Sequence, residues 1–188
     1  AGNCLVDTDC LGTCGGDAVV DECGVCEGDN SCLQSSISLG NFNPSGTIEL
    51  LYDFGSPVSG FQFNISGLNI TGTSGGAADE AGFTVSSGSS GTILGFSFTG
   101  TTIPAGSGLL TVVSFSAVTS AVTEMTIGLG AITGPGGVEY IASLLGSINH
   151  GEPDCSGTYY GDAVVDECGV CEGSGIADGA CDCDGTLP

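Results

Sequence analysis

The 188 residues include 22 aspartates and glutamates, a single histidine and no lysine or arginine, giving a formal net charge of −22 at pH 7. Charged residues make up 12% of the chain, about half the usual share, and all carry one sign. That excludes nucleic-acid binding by counterion release, phosphate clamps, arginine fingers and Schiff-base lysines, and it disfavours anionic membrane surfaces. The cations that suit such a surface are hard ones, calcium above all, which takes carboxylate and carbonyl oxygens.

Residues 1–32 hold six cysteines (Cys4, Cys10, Cys14, Cys23, Cys26 and Cys32) and seven acidic residues. Residues 154–188 hold five cysteines (Cys155, Cys168, Cys171, Cys181 and Cys183) and eight acidic residues, and residues 33–153 hold no cysteine. This density of cysteine points to an oxidising compartment and an extracellular protein. The first residues lack a basic segment followed by an apolar one, so the chain reads as a mature or excised product. No apolar run approaches the ~20 residues of a membrane span.

The first segment is a small module that disulfides must hold, since it has too few large apolar residues for a core. Asp17, Asp21 and Glu22 cluster within it and read as calcium ligands. Solvation without metal is the plainer alternative. The Cys23/Cys26 pair lacks the βαβ setting of a redox site, and its partner pair lies too far along the chain for a zinc ribbon. The run DECGVCEGDNSC at 21–32 resembles the cysteine-rich region of secreted thrombospondin-motif metalloproteases, and similar acidic runs occur in large repetitive secreted microbial proteins. That resemblance implies a secreted disulfide module and carries no catalytic residue.

Residues 33–153 have β periodicity. Strands are expected at Thr47–Phe54, Val58–Ser66, Gly82–Ser86, Thr92–Thr99, Gly108–Val118, Val122–Ile132 and Val138–Ala142, with a brief helix near Ala77–Ala81. Short strands at regular spacing predict an all-β sandwich or jelly roll. The segments VSGFQFNISG (58–67), AGFTVSS (81–87) and ILGFSFTGTTIPAGSGLLTVVSFSA (93–117) are similar to cohesin-like β-sandwiches. The resemblance implies that fold, and either a dockerin-type binding face or a plain building block of a surface protein. Asn64 and Asn69 head N-x-S/T sequons and are candidate glycosylation sites, with Asn64 expected to face solvent. His150 is the only histidine, so no Ser-His-Asp or Cys-His set forms, and no acid pair suggests a hydrolase.

Residues 154–175 repeat residues 9–30 without gaps, with 17 of 22 positions identical. Asp162, Asp166 and Glu167 match the first acidic cluster, and Asp182 and Asp184 sit in a weak calcium-loop pattern. The copies differ where Cys14 and Gly15 become Tyr159 and Tyr160, and the cysteine count is odd, so one thiol is free or pairs between chains. The sequence thus reads as a non-enzymatic structural protomer of an extracellular fibre or surface assembly. Its ends would join subunits through cystine and calcium. The alternative is a scaffold or adhesin module that binds a protein or glycan.

Overall fold

The computed structural model describes residues 7–88 and 90–186. Among the described residues eleven strands, all between Gln34 and Asn149, form two sheets. They are β1 (Gln34–Asn43), β2 (Thr47–Phe54), β3 (Gly60–Ile65), β4 (Leu68–Ser74), β5 (Thr84–Ser87), β6 (Thr92–Phe96), β7 (Gly106–Val118), β8 (Val122–Thr126), β9 (Ile132–Thr133), β10 (Ile141–Leu145) and β11 (Ser147–Asn149). One sheet runs β10-β1-β2-β7-β4; the other runs β11-β8-β3-β6-β5, with β9 paired to β3. All pairings are antiparallel except β1 with β10. The expected sandwich is therefore present.

Side-chain alternation explains the layering. In β3, Phe61, Phe63 and Ile65 are buried while Gln62 and Asn64 face outward. Their inner row meets Ile37, Ile48, Leu50 and Phe54 from the opposite sheet in one core. Strand β7 breaks alternation at Leu110 and Thr111. Its register against β2 steps by a residue between Leu50 and Leu51, so Leu110 and Thr111 are consecutively buried. The inward hydroxyl of Thr111 donates to the Ser74 carbonyl at 3.2 Å. A five-residue helix, α1 (Gly76–Glu80), buries Ala78. Gly76 lies so close to the Leu110 carbonyl that no Cβ would fit, which sets the helix directly on β7.

Strands β1, β4 and β11 form where no strand was expected, and the expected Val122–Ile132 strand divides. Gly128 adopts φ +54° and Gly130 donates to the Ile127 carbonyl at 2.7 Å, so the chain turns and leaves Leu129 fully exposed.

Among the described residues the Ser35 hydroxyl is the one buried side-chain polar atom without a hydrogen-bond partner. Replacing Ser35 by Ala should be neutral or slightly stabilising, because it removes a desolvated group that bonds to nothing. Phe63→Ala should cost about 3–5 kcal/mol through lost burial and the cavity left behind. Urea denaturation followed by circular dichroism reads both.

Candidate functional site

The terminal modules are built from one recurring turn. Asp9, Asp21, Asp154, Asp166 and Asp182 each begin a D-x-x-G segment whose glycine, three residues on, has φ between +78° and +85°. In each, the aspartate carboxylate accepts the backbone N–H groups two and four residues ahead. Asp21 Oδ1 accepts from Cys23 at 2.9 Å and Val25 at 2.8 Å, and Oδ2 from Asn30 at 3.0 Å. Asp166 repeats this with Cys168, Val170 and Gly175 at 2.9, 2.8 and 2.9 Å. Asp154 takes Ser156, Thr158 and Ala163, Asp9 takes Leu11 and Thr13, and Asp182 takes Asp184 and Thr186. In the turns of Asp9, Asp21, Asp154 and Asp166 a second glycine, seven residues after the aspartate, is required as well. A Cβ on Gly16, Gly28, Gly161 or Gly173 would fall on the carboxylate of the same turn.

Cystines tie successive turns together. Cys10 bridges to Cys26 and Cys155 to Cys171, both across 16 residues. Cys23 bridges to Cys32, and Cys168 to Cys183. Cys14 is also disulfide-bonded, and Cys4 lies outside the described residues. Cys181 is a free, exposed thiol. The thiol left over is therefore Cys181, in the C-terminal tail.

The eight carboxylates expected to hold calcium do not gather. Asp21, Asp166 and Asp182 are turned onto backbone amides, whereas Asp17, Glu22, Asp162, Glu167 and Asp184 are exposed. Among the described residues no three His, Cys, Asp or Glu side chains stand where one ion could bind them. The oxygens of Asp21, Asp166 and Asp182 already serve N–H groups. Of the sequon asparagines, Asn64 is half-buried and accepts from the Thr92 hydroxyl at 2.7 Å, and Asn69 is exposed and donates to Ser116 Oγ at 2.7 Å.

The two modules present the same surface. Val19, Val20 and Val25 in the first, and Val164, Val165 and Val170 in the second, are all more than half exposed, with Val19 and Val164 both at 71%. They differ in how they meet the sandwich. In the second module the Tyr160 hydroxyl is 2.7 Å from His150 Nδ1, while His150 Nε2 is 2.8 Å from Thr123 Oγ1 on β8. Phe42 of β1 stacks on Phe115 and lies 4.9 Å from the imidazole and 5.7 Å from the Tyr160 ring. Tyr160 has φ +59°, a left-handed conformation costing about 1–3 kcal/mol for a side chain of this size. Its first-module counterpart is Gly15, which has φ +64° and no such cost. Burial holds the His150 imidazole below its ordinary value. None of this junction was expected from the sequence; the pairing of the Tyr159-Tyr160 substitution with the only histidine was the available signal.

No family model matches the chain, and no curated protein matches it. In fold the chain is similar to a chain of the CaDoc0917–CaCohA2 complex, at 16% identity and a TM-score of 0.47, over 61% of this chain and 98% of that one. It is also similar to a non-cellulosomal cohesin from the hyperthermophilic archaeon Archaeoglobus fulgidus, at 13% identity and a TM-score of 0.43, over 59% of this chain and 86% of that one. Likenesses at this level carry nothing about function. Among the described residues no helix is long and apolar enough to cross a membrane.

The hydrogen bonds received by Asp21, Asp154, Asp166 and Asp182 hold their carboxyls below the usual aspartate value. Around pH 4 the folded modules therefore bind fewer protons than the unfolded chain. The stabilisation is complete above the unfolded value of about 3.9 and drains away as pH falls through the folded values. Acid titration followed by amide exchange should show the terminal modules loosening below that point while the sandwich strands stay protected. Reduction should have the same selective effect, since residues 33–153 contain no cysteine.

Proposed function

We propose that this protein is a structural protomer of an extracellular fibre or surface assembly, its cystine modules acting as the couplers between subunits. The observation that carries this reading is the identical exposed valine triad on both modules of a chain with net charge −22. Apolar surface repeated at both ends of so acidic a molecule is suited to burial against another subunit. Calcium has its place in this reading at the contacts. Among the described residues the exposed Asp17, Glu22, Asp162 and Glu167 lack a complete ligand set, and donors from two chains can supply one while screening the repulsion between acidic ends. The exposed Cys181 thiol offers a covalent lock between chains. The role requires no catalysis.

Electron microscopy of the purified protein tests the proposal. Ordered filaments or arrays are expected with calcium, with dispersal in chelator and in a Val19→Asp, Val164→Asp double variant. Dispersed monomers of the unaltered protein under both conditions would overturn it. A Cys181→Ser variant should lose disulfide-linked dimers on a non-reducing gel while retaining its folded spectrum.

A second reading rests on the outer face of the six-stranded sheet. Phe98 is 82% exposed and packs edge-on to Phe96 at 4.8 Å, and Leu129 is fully exposed beside a shallow depression of about 340 Å³ between β3 and β6. Exposed aromatic and aliphatic side chains around a glycine floor suit a protein-binding face. A Phe98→Ser, Leu129→Ser variant that still assembles but no longer retains a co-purifying partner would favour this second role.

A further inference from the structure

We propose that the contact of Tyr160 with His150 is a proton-released joint: the C-terminal module is docked on the sandwich while His150 is neutral, and detaches when the imidazole is protonated. His150 is 8% exposed and lies where the two sheets meet the module, against Phe42 of β1, Thr123 of β8 and Tyr160. Neutral imidazole fits this seat. One ring nitrogen donates and the other accepts, and the two hydroxyls can take either role. Imidazolium also finds acceptors there, but its charge has no carboxylate partner. The titratable groups facing it are Tyr160 and Tyr159, whose ring stands 6.2 Å away; β1 contributes Phe42 and β8 contributes Thr123, none of them charged. Glu152, two residues along the His150 segment, is exposed.

Two opposing effects are present. The acidic chain as a whole attracts a proton, and the Phe42 ring gives a cation partial compensation. Burial opposes them and holds the imidazole below its ordinary value. The sign then follows. The docked state binds fewer protons than the released one, so docking is fully favoured above the free value of about 6.5 and weakens as pH falls below it. The aspartate turns and cystines of the module do not involve His150, so the module detaches intact.

The chain provides both reporters. His150 is its only histidine, so a single imidazole signal in a nuclear magnetic resonance titration reports that site alone. A fluorophore on the free Cys181 thiol reports the module's local motion through anisotropy. Between about pH 8 and about pH 5, anisotropy should fall along a curve that follows the imidazole titration, with its midpoint below 6.5. The Tyr160→Gly variant restores the first module's residue, so the module itself keeps its fold. It should show low anisotropy already at the alkaline end, and its imidazole should titrate near the free value. The His150→Gln variant should abolish the pH dependence in this range. Flat anisotropy in the unaltered protein, a pH response that survives His150→Gln, or a Tyr160→Gly variant as immobile as the parent would each overturn the proposal.

Discussion

A chain without lysine or arginine leaves its carboxylates three kinds of company: water, mobile cations, or its own N–H and O–H groups. The terminal modules are organised by the last of these. Each D-x-x-G turn aims two or three amides at one carboxylate, so the anion is satisfied without a counter-charge and the backbone is satisfied without a helix or sheet. Cystines then lock turn to turn. With so little apolar surface, neither device alone would hold such a segment, and together they replace the hydrophobic core it lacks.

The sandwich solves the same constraint differently. Its acidic residues are few and peripheral, and its stability comes from an unbroken inner layer drawn from both sheets. The two structural economies meet at one place. There, a histidine, a tyrosine and a phenylalanine supply what an arginine-carboxylate pair would supply elsewhere: a directional contact between bodies, made from hydroxyls and rings. Repetition of the module at both ends therefore does not make the ends equivalent, because only the second carries the tyrosines in place of Cys14 and Gly15.

Legibility followed the strength of local signals. The alternation of Phe61, Phe63 and Ile65 placed β3 to within two residues, and β2 was readable at its observed ends. Strand β1 was hidden because its sequence is largely serine, glycine and asparagine and its register against β2 shifts between Leu39 and Phe42. Strand β4 was hidden by two such irregularities around Ile70. Both owe their extended form to neighbours, β10 and β2 for one and β7 for the other, not to propensity. In the modules the acidic residues were visible, but not their task. An aspartate that caps a turn and one that binds calcium have the same letter, and only the amides converging on Asp21 and Asp166 separate them. The glycine seven residues after Asp9, Asp21, Asp154 and Asp166 was the available clue, since it marks where a carboxylate comes too close for a side chain.

The spacing of these turns has a consequence for how such a molecule changes length. Asp9 and Asp21 are twelve residues apart, as are Asp154 and Asp166, and each turn is closed by bonds within itself. Genetic duplication or loss of one twelve-residue unit would leave every remaining carboxylate with its own amides. It would still strand one or two cysteines unless the cystines re-pair. The distance a module spans is thus adjustable in whole steps, like links in a chain, with thiol pairing as the check on each added link.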